Sequence, residues 1–359
     1  MKKALKILSL LLAGGIIIAL FILFATPFGH NLRIIAAESI LTSQHRQFAK
    51  YTFLSNEELN RIMDDIENPK FQNSKAANDL SDTELKKKAN TPLTITIETI
   101  NRRYADHYFQ GKLMTVSNPL NVKLVVQQGS QGSDVGEKLD VMARRAHALA
   151  AVNASGFSDS TGHGGGKIGL GVVIADGQVI HTSENDKPAI TAGLTKDGQL
   201  ITGDYTAAQM LQQQVVSAAS FKPQLIVDGE KMITSGNGGW GYGPRTIIAQ
   251  KKDGTMFFLV VDGRQSHSIG ASLKDCQDLL YDLGAVQAMA MDGGSSATIY
   301  ALGDILNTPS TSSHQTRYLP NSWVVTAMEG QKVSVTIDGK SAAPEKIAEI
   351  TGLPVQTNQ

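Results

Sequence analysis

The dipeptide Asp-Gly constrains this chain more than any other feature. It stands between two short apolar runs in GVVIADGQVIHT (171–182), ITAGLTKDGQLIT (190–202), LIVDGEKMI (225–233) and RTIIAQKKDGTMFFLVV (245–261). Both residues tolerate the positive φ of tight hairpin turns, so each stretch predicts two antiparallel strands joined by a turn. KVSVTIDGKS (332–341) reads as one more strand and turn near the C-terminus. LTITIETI (93–100) alternates apolar and polar residues as a half-buried strand does, and MTVSNPLNVKLVVQQG (114–129) holds one or two more. Helices are fewer. Ser133–Ala151 reads as one, with Leu139, Met142, Ala143, Ala146 and Leu149/Ala150 toward the core. Thr206 and Gln209 cap a second, running through about Ser217. Ser272 and Asp275 cap LKDCQDLLYDL (273–283), which ends at Gly284 as a helix stopped by glycine should. EKIAEITGL (345–353) gives a last short helix. The fold class is therefore α+β: a large, mostly antiparallel or mixed sheet system with a few covering helices.

The N-terminus bears on location. Lys2, Lys3 and Lys6 precede Ile7–Phe28, which holds no charge. That run is long enough to cross a hydrocarbon core of roughly 30 Å as a helix. Lysines in front of it keep the N-terminus in the cytoplasm and send the remainder across. A cleaved signal peptide is the alternative, disfavoured by the length of the run and by the lack of a clean A-x-A site. Residues 30–90 read as a helical stalk and linker. FAKYTFLSNEELNRIMDDIENP (48–69) carries Phe53, Leu54, Leu59, Ile62, Met63 and Ile66 at near-helical spacing, with a Ser55/Glu58 capping box; NSKAANDLSDTELKKKANT (73–91) is polar. The expected organisation is an anchor over 1–29, a stalk over 30–90, a catalytic domain over 91–328 and a tail over 329–359.

Charge and composition exclude several classes. Lys+Arg and Asp+Glu are both 33, with no basic block, which argues against a nucleic-acid partner. The one cysteine, Cys276, forms no intramolecular disulfide or Cys-x-x-Cys site and sits on the apolar stripe of 273–283. There is no GxxxxGK[ST], GHGGGKIG opens no helix, GGSSA lacks the second glycine of a serine-hydrolase elbow, and no HExxH is present.

Three segments break the local rules, and functional sites are expected at such places. Asn153–Lys167 follows the buried strand AAVN and gathers Gly156, Gly162, Gly164, Gly165, Gly166 and nearby Gly169 around Ser155, Asp159 and His163. GNGGWGYGPR (236–245) spaces Trp240 and Tyr242 with glycines, as suits stacking on a sugar face, and ends in Arg245. VVDGRQSHSIG (260–270) and MAMDGGSSATIY (289–300) are apolar strands that end in Asp-Gly without a matching return. Asp262 and Asp292 thus stand at the tips of central strands, where loops carry chemistry on a rigid scaffold. Asp176, Asp197 and Asp253 read as turn residues, and Asp228 lies between the cases.

Taken in order, VNASGF (152–157), GPRTIIAQ (243–250), VVDGRQSHSIGASL (260–273), MDGGSSATIY (291–300) and RYLPNSWVV (317–325) resemble the phosphodiester glycosidase family over about residues 92–328. Ala154-Ser155 departs from the family's usual Gly-Gly, and Met291 from its usual Leu. The resemblance implies a hydrolase for a sugar whose anomeric carbon is joined through oxygen to a phosphodiester, as in cell-surface polysaccharide or teichoic-acid-like polymers. It implies a phosphate-containing glycan as partner; the N-terminal helix and stalk lie outside the resemblance, and on the N-terminal reading above they hold the catalytic domain at a membrane, outside the cytoplasm. A phosphate monoester leaves more readily than a sugar alkoxide, so the main demand is a carboxylate that activates water or stabilises the oxocarbenium ion.

On that reading Asp292 comes first and Asp262 second. Arg245 and Arg264 clamp the growing phosphate charge, and His267 shuttles a proton. Asn153 and Ser155 position substrate, Gly293 and Gly294 admit backbone N–H groups to the phosphate, Ser295 donates to it, and Trp240 and Tyr242 stack on sugar. No cofactor is required, though a divalent cation is compatible with the two aspartates. Two other readings stay open: a metal-dependent phosphodiesterase cutting P–O, with Asp262 and Asp292 as ligands, and a non-catalytic polysaccharide-binding or assembly protein.

Overall fold

The computed structural model describes residues 2–43, 45–75, 82–129, 134–158 and 165–355. It forms two units, Met1–Asn68 with Gly239–Tyr242 and Pro69–Gly238 with Gly243–Gln359.

In the first unit, the helix Lys2–Ala25 is long and apolar enough to cross a membrane, and equally to be a signal sequence. Thr26 and Pro27 restart the chain as a second helix, Pro27–Leu41: the Thr26 hydroxyl accepts the Gly29 N–H, and proline occupies a first-turn position that needs no N–H. The Ser55/Glu58 capping box is present and opens Asn56–Glu67. Ala37, Leu41, Ala49, Leu54, Ile62 and Ile66 form this unit's apolar cluster. Phe53, expected on the stripe, instead precedes the helix at a φ of 57° and is exposed.

The second unit is built on a nine-stranded sheet. Its spatial order is Glu230–Lys231, Gln224–Val227, Ala285–Met291, Arg245–Lys251, Met256–Val261, Tyr108–Val116, Leu93–Arg103, Val333–Ile337 and Lys340–Ser341. All its neighbours run antiparallel except Leu93–Arg103 and Val333–Ile337. A five-stranded sheet orders Gln178–His181, Val173–Ala175, Val215–Ser220, Ala189–Thr195 and Leu200–Tyr205. Another orders Asp304–Ile305, Ile299–Ala301, Ala150–Asn153, Asn321–Val325 and Val122–Val126. One apolar core joins all three: Ile95, Phe258 and Met289 from the first, Ala192 and Leu200 from the second, Val152 and Trp323 from the third. The α+β class stands. So do the Asp-Gly hairpins, with Asp176 and Asp228 at positive φ; the strand and turn expected over 332–341 go further, Asp338 turning the chain into a second, antiparallel strand.

Local expectations fail in two places. The helix expected over 133–151 covers Leu139–Arg145 alone; His147 turns left-handed at φ 52°, and Ala150–Asn153 is a strand paired on both sides. A short run of small apolar residues buried all round has no periodicity to separate strand from helix. The helix after Thr206 stops at Gln212, because Gln214 takes a φ of 57° and Val215–Ser220 enters a sheet. The residues expected as a tail extend the nine-stranded sheet, and Ile347 and Ile350 of Pro344–Thr351 pack on the shared core. The polar stretch after Asn68 begins as an ordered strap: Ser74 N–H donates to the Thr202 carbonyl at 2.9 Å and Gln72 N–H to Gln224 Oε1 at 2.9 Å. Ser133, Asp159, Gly162, His163 and Gly164 lie outside the described residues.

Candidate active site

Three neighbouring strands place the central residues. Arg245–Lys251 lies between Met256–Val261 and Ala285–Met291, antiparallel to both. Its first residue, Arg245, pairs with Val261, and Thr246 pairs with Met291. Arg245, Asp262 and Asp292 therefore share one end of the sheet, with the two aspartates one strand to either side of the arginine. Strands in a sheet are about 4.8 Å apart, so the aspartate-bearing backbones are separated by about 10 Å. The flanking strands are almost wholly apolar and buried, as central strands should be.

The glycines after both aspartates are set by packing. A Cβ on Gly263 would stand 2.5 Å from Pro244 N, and one on Gly293 would stand 2.8 Å from Pro244 O. The two Asp-Gly turns thus press on Pro244, and Gly294 N–H donates to the Pro244 carbonyl at 3.0 Å.

Arg245 is buried at 5% exposure, its Nε donating to the Ala271 carbonyl at 3.0 Å. Arg264 adopts a left-handed φ of 59°, a strained choice for a non-glycine residue. Its Nη2 lies 3.6 Å, and the Cζ of Arg245 3.9 Å, from the point a Gly243 Cβ would occupy; its Nη1 lies 3.4 Å from the same point on Gly294. Two guanidinium groups therefore border one small region beside the Asp292 loop. Like charges held this close favour an anion between them.

Asp262 is 5% exposed and its oxygens are well occupied. Oδ2 lies 3.0 Å from Nε2 of His267, Oδ1 accepts from Asn307 Nδ2 at 3.0 Å, and the Thr308 N–H reaches the two oxygens at 3.1 and 3.3 Å. His267 is 36% exposed, so the pair joins a buried carboxylate to an accessible imidazole.

Asn153 is fully buried. Its Nδ2 donates to the Asp292 carbonyl at 2.5 Å, while Oδ1 accepts from Thr246 Oγ1 at 2.7 Å and from Thr298 N–H at 3.1 Å. Ser155 is also buried, and its N–H and Oγ both donate to Asn321 Oδ1, at 2.9 and 3.0 Å. Asp292 N–H donates to the Ala154 carbonyl at 3.0 Å, which holds the two loops edge to edge. Ser295 Oγ accepts from Arg317 Nη1 at 3.1 Å, and that guanidinium lies 4.9 Å from the Phe157 ring centre.

Arg245, Arg264, Asp262, His267, Asn153, Ser155, Asp292, Gly293, Gly294 and Ser295 thus gather at one end of the sheets. Trp240 and Tyr242 belong to the first unit. Trp240 packs on its apolar cluster, its carbonyl accepts from Thr42 Oγ1 at 3.4 Å, and the Tyr242 N–H donates to Ser39 Oγ at 2.9 Å. Sequence reasoning missed Arg317, Asn307, Thr308, Thr246 and Asn321. Arg317 opens a segment already marked by the family resemblance, whereas Asn307-Thr308-Pro309 reads as an ordinary polar loop. Burial pushes the Cys276 thiol up to about 12, which leaves it a core residue and no nucleophile. Among the described residues no three His, Cys, Asp or Glu side chains form a group that could hold a metal ion.

The chain is 25% identical over 235 residues to bovine N-acetylglucosamine-1-phosphodiester alpha-N-acetylglucosaminidase, covering 60% of this chain and 43% of that one. It is 27% identical over 177 residues to the SPbeta prophage-derived protein YomE of Bacillus subtilis, covering 46% of this chain and 26% of that one. It thus spans less than half the length of these relatives. The catalytic domain of the zebrafish N-acetylglucosamine-1-phosphodiester alpha-N-acetylglucosaminidase shares the fold: TM-score 0.55, 22% identity, 71% of this chain and 87% of that one. The phosphodiester glycosidase family model matches residues 146–326, just over half of the chain and all of the strands that carry Arg245, Asp262 and Asp292, so the chain belongs to that family.

Proposed function

We propose that this protein hydrolyses a sugar-1-phosphodiester at the anomeric C–O bond, outside the cytoplasm and held to a membrane by the helix Lys2–Ala25. The observation that carries the reading is Arg245 standing in register between Asp262 and Asp292, with the Arg264 guanidinium beside it. The two arginines bind the phosphodiester and gain strength as the leaving phosphate takes on a second negative charge, which is stabilisation where charge develops. Asp292 stands at the anomeric carbon, as the carboxylate that activates water or steadies the oxocarbenium ion. Asp262, with its oxygens engaged by His267, Asn307 and Thr308, is an orienting carboxylate, and His267 is the group that carries the proton. Asn153 and Ser155 shape the site from below, since their polar atoms are given to Asp292, Thr246, Thr298 and Asn321.

The relatives' name points to N-acetylglucosamine-1-phosphodiesters as the first substrates to try, and phosphate-linked surface glycans follow from the external location. No cofactor enters, so a chelator leaves the rate unchanged. Asp292→Asn and Arg245→Ala, each checked for folding, should lower kcat/KM by at least about 100-fold, the scale of losing one transition-state contact. Wild-type rates in either variant refute the assignment. In 18O-water the label should enter the sugar. Label in the phosphate, with inhibition by a chelator, would establish P–O cleavage instead, and binding without turnover would make the protein a glycan-binding one.

A further inference from the structure

Two asparagines hold the segment that carries Asp292. Asn153 grips it at the Asp292 carbonyl and again at the Thr298 N–H. Asn307 grips it on either side of Thr298: Nδ2 donates to the Ala297 carbonyl at 3.0 Å and Oδ1 accepts from the Ile299 N–H at 3.0 Å. The neighbours fix the orientation of this amide, because the Ile299 N–H demands an acceptor and the Ala297 carbonyl a donor. Nδ2 is then committed to Asp262 as well, at 3.0 Å from Oδ1. Asn307 is thereby bonded both to the buried carboxylate behind His267 and to the loop of Asp292, two parts of the site that arrive on different strands.

We propose that Asn307 is the positioning residue of this site: it fixes Asp262, and through Asp262 the imidazole of His267, relative to Asp292. The inference rests on the reading above in which His267 carries a proton. Its reason is geometric. The Thr308 N–H also reaches both Asp262 oxygens, at 3.1 and 3.3 Å, but it is not bonded to the Asp292 segment. The Asn307 amide donates to Asp262 and also grips that segment at Ala297 and Ile299, so it sets the carboxylate, and the imidazole bonded to it, against the Asp292 loop, as supporting hydrogen bonds do behind metal-bound or catalytic histidines. Among the described residues, His267 is bonded to Asp262, and Lys138, Asp140 and His314 line, with Asn307 and Thr308, a recess of about 390 Å³.

Asn307→Asp tests it with almost no change in shape. With its proton, the introduced carboxyl can give its one hydrogen to Asp262, at the expense of the Ala297 carbonyl. Without it, two carboxylates about 3 Å apart repel, and both cannot ionise together. For the detergent-solubilised full chain acting on an N-acetylglucosamine-1-phosphodiester, kcat of the variant relative to wild type should fall at least about tenfold between about pH 5.5 and about pH 8, with KM within about threefold. Asn307→Ser, which removes the reach and adds no charge, should lower kcat about tenfold or more at every pH without that tilt. Melting curves at both pH values verify the fold; if Asn307→Asp does not fold, Asn307→Ser decides. Absence of hydrolysis by the wild-type chain overturns the catalytic reading and this one with it. Wild-type turnover alongside a folded Asn307→Asp whose pH profile parallels wild type, or an Asn307→Ser with wild-type kcat, overturns this inference alone.

Discussion

Asn153→Ala separates two roles that the sequence leaves entangled. If Asn153 touches substrate, the variant binds it more weakly and the fold is indifferent. The hydrogen bonds say otherwise. Removing the amide leaves the Thr246 hydroxyl and the Thr298 N–H without their acceptor, both on residues with no exposed surface, and takes a donor from the Asp292 carbonyl. An orphaned buried donor costs about 1–3 kcal/mol, so two of them give on the order of 3 kcal/mol. For a domain of this size that is a fall in melting temperature of about 5–10 °C. The assay is a thermal melt with steady-state kinetics on the same preparation. Expected are a lower Tm, a lower kcat because the Asp292 loop is no longer held, and a KM changed by less than about threefold. Repeating the substitution in a Thr246→Val background, where the hydroxyl is already gone, should reduce its stability cost by about 1 kcal/mol. A Tm within about 1 °C of wild type together with a KM raised tenfold would instead put Asn153 in contact with the substrate.

Other expectations are more direct. Gly293→Ala places a Cβ 2.8 Å from the Pro244 carbonyl, so the Asp292 turn must shift; the protein should stay folded by circular dichroism while kcat/KM drops at least about 100-fold. Cys276, buried and with its thiol pushed up to about 12, should resist a thiol reagent in the native protein and react once denatured; modification within minutes under native conditions would contradict its placement. Asp338 accepts from Lys112 Nζ at 2.7 Å and from Thr99 N–H at 2.6 Å, and these bonds hold its carboxyl below the ordinary 3.8. A depressed folded pKa gives stability that is present above the unfolded value and lost as pH falls through the folded one. Asp338→Asn should therefore cost less than about 1 kcal/mol at neutral pH, the side chain being 43% exposed, and progressively less as the pH falls below about 4 in urea titrations.

The strands were legible because hairpins declare themselves locally. Two apolar runs, a turn that admits positive φ and a period of two suffice, and Val173–Ala175 with Gln178–His181 needed nothing more. Ala150–Asn153 was hidden for the opposite reason: a strand buried on both faces loses its alternation, and AAVN then reads as the end of a helix. Arg245, Asp262 and Asp292 of the candidate site were legible at strand ends, and Arg264 as part of the loop that follows one of them. Asn307 and Thr308 were not, since a half-buried amide in NTPSTSS looks like any polar turn until the Asp262 carboxylate is placed against it. Arg317 was within a recognised segment, yet its partner Ser295 is far away in sequence, and no local pattern announces a pairing made only by the fold.

The Asp-Gly turns make the same point quantitatively. At Asp176-Gly177, Asp228-Gly229 and Asp338-Gly339 both residues take positive φ, and a Cβ on the glycine would meet nothing within 4 Å. There the glycine serves the turn itself. At Asp262-Gly263 and Asp292-Gly293 the aspartates have no positive φ, and a Cβ on either glycine would stand under 3 Å from the backbone of Pro244. Here the glycine serves a close approach by another part of the chain. One dipeptide therefore encodes two structures, and what separates them is a proline remote from one of the aspartates. It follows that alanine at Gly177 or Gly229 should cost only the strain of a left-handed alanine, about 1 kcal/mol, with catalysis intact. Alanine at Gly263 must push Pro244 and with it Arg245. A Gly263→Ala variant as active as Gly177→Ala would break the argument that Pro244 is the wedge spacing the two aspartates about the arginine.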